Sequence, residues 1–196
     1  MFKKYYLPIF LILAAVSLRI LRHFGLLDLP PNFAPISAIA LFAGAYLGNR
    51  RLAIIIPVIA MLISDIFIGF YDLRILAAVY LSFIISGILG FCLRRHRSAL
   101  KISGITLGAS SFFFLFTNFA VWLFSRMYPL TASGLWQSYL MGLPFFKYTL
   151  LGDIFYVSIM FGLYEFVISR ARSSVGQSTC MACMGSGVQL SSGPPN

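Results

Sequence analysis

The chain has 196 residues, of which 60% are hydrophobic, 16% aromatic and 10% charged, with a mean hydropathy of +0.90. Soluble domains carry about 25% charged residues, so a soluble fold is excluded and the length is better counted in membrane spans of about 20 residues each. Fifteen Lys and Arg against five Asp and Glu give a formal charge of +10. These cations stand between apolar runs rather than along a soluble surface, which argues for membrane topology and against a nucleic-acid partner.

Six apolar runs cover residues 5–20, 35–47, 52–70, 75–93, 102–124 and 149–168. They predict an all-α, polytopic membrane protein, a bundle of six transmembrane helices occupying residues 1–170. The first run follows Lys3 and Lys4 in the manner of a secretory leader. Arg19 and Arg22 come after it with no small-residue cleavage site, so it is kept as a span. The second run is too short to cross a bilayer unaided, and must extend back into residues 32–34 or sit beside a thinned or protein-filled region. Residues 135–143, inside the long connection 125–148, are expected to form a short amphipathic or re-entrant turn.

With the N-terminus inside, the inner segments collect Lys3, Lys4, Arg50, Arg51, Arg94, Arg95, Arg97, Lys101, Arg170 and Arg172. The outer ones hold only Arg19, Arg22, Arg74, Arg126 and Lys147. This asymmetry puts both termini in the cytoplasm. Residues 94–101 are read as a cytoplasmic anchor. From residue 171 the composition turns to Ser, Gly, Cys, Pro and Gln without periodicity, which predicts a disordered tail over 171–196. Ser173-Ser174-Val175-Gly176 and Val188-Gln189 are encodable by the recurrent words of a transfer-RNA gene, so this tail is read as read-through into such a neighbour. Cys180 and Cys183 have no second pair that would complete a zinc site.

An ionisable group at hydrocarbon depth costs about 2.5 to 3.5 kcal/mol on insertion scales, which makes it a functional candidate. Asp65 lies near the outer end of the third span, about 8 Å below the boundary. Asp153 opens the sixth span, Asn118 stands near the outer end of the fifth, and Asn32 stands where the second begins. Trp122 lies one turn beyond Asn118 on the same face. These five residues are expected to converge in the outer half and line a pocket for a small solute. The competing reading is that Asp65 and Asp153 only hold helices together. Ala40, Gly44 and Gly48 form one stripe of small residues and Gly104 with Gly108 another, suited to close helix packing.

No G-x-x-x-x-G-K-[ST], H-E-x-x-H or G-x-S-x-G occurs, so no enzyme, cofactor or metal centre is expected. The one catalytic alternative is an intramembrane aspartyl hydrolase in which Asp65 and Asp153 share a proton. Neither stands in the Gly-x-Gly-Asp context of the known intramembrane proteases. A structural or morphogenetic scaffold, similar to the rod-shape membrane proteins, is the other alternative.

The run Asn32-Phe33-Ala34-Pro35-Ile36-Ser37-Ala38-Ile39-Ala40-Leu41-Phe42-Ala43-Gly44-Ala45 carries a resemblance, together with Ser64-Asp65, Phe116-Thr117-Asn118-Phe119-Ala120-Val121-Trp122, Tyr128-Pro129, Leu143-Pro144-Phe145-Phe146 and Gly152-Asp153. From about residue 5 to residue 168, the chain resembles an uncharacterised family of small bacterial membrane proteins described as transport proteins. That family in turn is similar to the S components of energy-coupling-factor (ECF) transporters. The resemblance implies six helices, cytoplasmic termini, a solute pocket near the outer face, and reliance on a membrane coupling subunit and cytosolic ATPases. It gives no residue-by-residue guide to the ligand. It also implies that the stripe on the second span, or Ala14 and Ala15 on the first, docks the coupling subunit.

Overall fold

The computed structural model describes residues 3–26, 30, 33, 35–47, 50–69, 72–94 and 98–185. Six helices and no strands occur among them: α1 Lys3–His23, α2 Ile36–Tyr46, α3 Arg50–Ile68, α4 Leu73–Phe91, α5 Ala99–Phe124 and α6 Ala132–Gly185. Three segments are long and apolar enough to cross a membrane: α4, α5 and the Ala132–Arg170 part of α6. The chain divides into a unit Met1–Phe161 and a unit Gly162–Asn196. In the second unit α6 runs on to Gly185, with the Arg170 guanidinium 4.8 Å from the Phe166 ring.

In the first unit the distribution of side chains is inverted relative to a soluble protein. Phe10, Leu13, Ile66, Phe67, Leu115 and Leu151 are exposed, whereas Ser64, Ser82, Ser86 and Ser110 are fully buried. Each buried serine hydroxyl has a backbone acceptor on its own helix. Ser82 donates to the Ala78 carbonyl at 2.8 Å and Ser86 to the Ser82 carbonyl at 2.9 Å. A hydroxyl satisfied in this way is nearly as compact as alanine, so helices can approach closely without leaving an unpaired polar group in an apolar medium.

The short helix α2 is the hub. It has 11 residues, about 16 Å of axial rise against a hydrocarbon thickness of about 30 Å. It touches α1, α3, α4 and α5. Its residues are apolar all round, and such a helix belongs in an interior; Ala38, Leu41, Phe42 and Ala43 are inaccessible. Against α4 the contact is backbone to backbone. A Cβ on Gly44 would strike the Gly87 carbonyl oxygen and come within 2.9 Å of the Gly90 Cα, and one on Gly90 would strike the Leu41 carbonyl oxygen. Arg94 closes the joint. Its Nε donates to the Gly44 carbonyl at 2.9 Å and its Nη2 to the Leu47 carbonyl at 2.6 Å, with the guanidinium 4.4 Å from the Phe91 ring. A cation on the last carbonyls of a helix also meets the negative end of its dipole. Burial, and secondarily the charge of Arg50, hold the Arg94 pKa below the ordinary guanidinium value.

Three expectations change. Residues 135–143 are not a separate turn: α6 begins at Ala132 and absorbs both that segment and the predicted sixth span, carrying Pro144 within it. The connection shrinks to residues 125–131, where Arg126 adopts a left-handed φ of 59° and the Thr131 hydroxyl accepts from the Gly134 N–H at 3.2 Å. Ser173 through Gly185, expected to be disordered, is helical backbone. Extending an existing helix costs much less than nucleating one, and no proline interrupts this stretch. The Gly104–Gly108 pair makes no close packing contact among the described residues, since a Cβ at either meets no atom of theirs within 4 Å. The Ala40–Gly44 stripe, by contrast, is internal packing; Gly48 lies outside the described residues.

The close approach of α2 to α4 predicts a sharp contrast between glycines. Gly44→Ala is expected to cost about 1 to 3 kcal/mol, the range for overpacking against an unyielding neighbour. Gly108→Ala should be neutral or slightly stabilising, as expected for an exposed helical glycine. Thermal unfolding of the detergent-solubilised protein measures both, and equal melting temperatures would contradict the packing described.

Candidate functional site

Asp153 is the most deeply buried carboxylate, at 1% exposure. Its Oδ2 lies 2.6 Å from Ser110 Oγ of α5, and the Ser37 hydroxyl of α2 is its second hydrogen-bond partner. Three helices therefore meet on one carboxyl group. Ser110 is near the middle of α5 and continues a ladder of hydroxyls down that helix. Ser110 Oγ is 2.9 Å from the Thr106 carbonyl, and Thr106 Oγ1 donates to the Ile102 carbonyl at 2.8 Å.

Ser37 belongs to the first turn of α2, which Pro35 opens without any side-chain cap. The N–H groups of a first turn have no intrahelical acceptor, and the helix dipole is positive there. Asp153 thus sits beside the positive end of a helix that starts inside the protein. Phe33 steers the chain into that start. Its ring packs 5.6 Å from Phe155 and 5.4 Å from Tyr156, just beyond Asp153 on α6.

Asp65 has a different setting. It is 3% exposed, lies in the last turn of α3, and accepts from the Tyr80 hydroxyl of α4 at 2.8 Å. Nearby, Asp72 accepts from the Arg74 N–H at 2.8 Å and caps α4. A narrow apolar cleft of about 10 Å³ lies between α1, α2, α3 and α4, bounded by Val16, Ile39, Pro57, Met61, Ser64 and Phe83. None of Asp65, Asn118, Trp122 and Asp153 lines it.

Asn118 and Trp122 belong to a third setting, the joint between α5 and α6. Asn118 Nδ2 donates to the Phe114 carbonyl at 2.8 Å, and its own carbonyl accepts from the Ser138 hydroxyl at 3.0 Å. Its Oδ1 faces Gly142 so closely that a Cβ there would collide with it. Trp122 Nε1 donates to the Pro129 carbonyl at 3.0 Å, and Phe114 packs on Phe146 at 4.6 Å. Asn32 lies outside the described residues.

The expected single depth is therefore divided. Because α6 starts at Ala132, Asp153 is far along that helix rather than at its beginning. It pairs with mid-α5, about two turns short of Asn118. Asp65 and Asp153 have separate hydroxyl partners, and no hydrogen bond joins the two carboxyl groups among the described residues, as a shared-proton dyad requires. The sequence reading missed Ser37, Ser110 and Tyr80. A signal for Ser110 existed in its four-residue spacing from Thr106 on an apolar helix, but spacing does not say which acid such a stripe faces.

These features define an all-helical protein, among the described residues, with helices of membrane-spanning length and a single buried carboxyl group held by two hydroxyls at the meeting of α2, α5 and α6. The chain belongs to a family of unknown function, DUF6580, whose model matches residues 2–176. No curated protein and no solved structure matches the chain.

The Tyr80–Asp65 hydrogen bond yields a prediction about the α3–α4 contact. Tyr80→Phe leaves a buried carboxyl short of a donor and is expected to cost about 1 to 3 kcal/mol. In an Asp65→Asn background the same change should cost clearly less. A double-mutant cycle on thermal unfolding reads the coupling, and strict additivity would mean that the bond contributes nothing.

Proposed function

We propose that this protein is the solute-binding subunit of an uptake system in a bacterial cytoplasmic membrane, with Asp153 at the centre of its site. The observation that carries the proposal is a fully buried carboxyl group on an apolar helix, satisfied by the Ser37 and Ser110 hydroxyls beside the start of the half-length α2. Ionisable groups are retained at such depth chiefly for function. Helices that begin within the membrane are where transporters hold polar parts of their cargo, on first-turn N–H groups and dipole ends.

On this reading all six helices are membrane-associated, both termini are cytoplasmic, and Phe33, packed on Phe155 and Tyr156, belongs to the outer wall beside Asp153. Asp65 with Tyr80, and Asn118 with Trp122, brace the walls. The missing nucleotide-binding motif is then supplied by partners, a membrane coupling subunit and cytosolic ATPases, as the resemblance to ECF S components implies. The cargo is a small, micronutrient-like solute.

A second reading, a rigid scaffold for envelope morphogenesis, is favoured by one specific observation. Asp65, Asn118 and Asp153 each find a hydrogen-bond partner inside the bundle, and Trp122 finds one on the Pro129 carbonyl of the connection beside it.

Binding separates the two. Protein purified in mild detergent should release a co-purified small molecule on denaturation, detectable by mass spectrometry. Asp153→Asn preserves the shape of the site and should weaken retention of that molecule by about tenfold or more, the scale of one lost charge-assisted hydrogen bond. Asp65→Asn should shift unfolding but not retention. Protein with no bound solute, and indistinguishable behaviour of wild type and Asp153→Asn, would favour the scaffold.

A further inference from the structure

Ser110 stands between two acceptors. Its Oγ is 2.9 Å from the Thr106 carbonyl, one turn back on α5, and 2.6 Å from Asp153 Oδ2 on α6. A hydroxyl has one proton to give and lone pairs to receive another. If that proton went to an ionised Asp153, the Ser110 oxygen would meet the Thr106 carbonyl with lone pairs on both sides. If Asp153 is a carboxylic acid, both short contacts hold a proton. The acid O–H donates to Ser110 Oγ, Ser110 donates to the Thr106 carbonyl, and the two bonds polarise one another in the same direction.

Charge points the same way. An ionised group withdrawn from water needs a counter-charge, and without one it takes its neutral form. Asp153 is 1% exposed, and its partners are the Ser110 and Ser37 hydroxyls. The charged and titratable groups of the helices that meet there stand away from it. On α2 there is Tyr46, at the far end from Ser37. On α5 there is Lys101, exposed in the first turn, about 13 Å along the axis from Ser110. On the first-unit part of α6, Lys147 is exposed and lies with Tyr148 more than a turn back, Tyr139 donates to the Leu115 carbonyl, and the Tyr156 ring packs on Phe33 and Phe155.

We infer that Asp153 is a carboxylic acid in the solute-free protein, its proton donated to Ser110 Oγ, and that a cargo loads by displacing this proton. The second half rests on the reading of Asp153 as the centre of the solute site. A cationic group of the cargo, an ammonium, takes the place of the proton against the carboxylate. The proton leaves to water, so the site carries no net charge before or after. The cargo is thereby a solute with a cationic group, and loading is an exchange of the kind that intramembrane carboxyl groups carry out in proton-coupled transport.

Infrared spectroscopy of the full chain in detergent, at neutral pH, reads the C=O stretch that a carboxylic acid has and an ionised carboxylate lacks. Protein washed free of small molecules should show such a band; Asp153→Asn should lose it and Asp65→Asn should keep it. Ser110→Ala removes the acceptor of the acid proton and should move the band to higher frequency, and this variant retains the carboxyl group should Asp153→Asn fail to fold. A band that is absent from the wild type, unchanged in Asp153→Asn or unmoved in Ser110→Ala overturns the proton on Asp153. Protein still carrying its co-purified solute should show the band weakened, and equal bands before and after washing overturn the displacement. An acid band in protein that yields no solute upholds the proton and removes the solute reading; a retained solute with no acid band after washing does the reverse.

Discussion

The approach of α2 to α4, with Gly44 against Gly87 and Gly90 and the Arg94 guanidinium on the carbonyls that end α2, is the contact on which the rest of this structure depends. A helix of 11 residues is too short to be secured by length. Its position follows from what its surface permits. With no side chain between them, two backbones make many dispersion contacts at short range. Arg94 then converts orphan carbonyls at the end of α2 into charge-assisted hydrogen bonds. Once that end is held, the other end is held too, and Ser37 is delivered to Asp153.

The same economy runs through the interior. Serine and threonine hydroxyls return their protons to carbonyls one turn back, so α4 and α5 present smooth, small faces to their neighbours. Polar contacts also cross between helices, Ser138 to the Asn118 carbonyl among them, and two of the crossings end on a carboxyl group, Ser110 on Asp153 and Tyr80 on Asp65. The one at Asp153 differs further in joining three elements, one of which begins there.

The resemblance drawn from the sequence and the geometry of the site bear on different questions. Family membership establishes what the chain is related to but assigns no activity. The solute-capture proposal therefore rests on Asp153 and its setting.

Much of the architecture was legible in the sequence. The apolar runs mark five of the helices closely, because membrane helices must satisfy their backbone groups internally and so betray themselves by length and composition. The shortness of the second run was also visible, as were Asp65 and Asp153 as the acids that apolar surroundings make costly. What the sequence did not disclose was where α6 begins. The segment 125–148 reads as a connection, whereas neighbouring helices make a proline such as Pro144 tolerable inside a membrane helix, and Ser138 spends its hydroxyl on the Asn118 carbonyl.

That single boundary moved Asp153 from the end of a helix to its interior and separated it from Asn118. Sequence periodicity reports the face of a helix a residue occupies, and composition reports the medium around it. Which residue on another helix lies opposite is settled by how closely the helices pack. Here the absence of a Cβ at Gly44 and Gly90, rather than any pattern of hydrophobicity, brings Ser37 of α2 to the carboxyl group of α6.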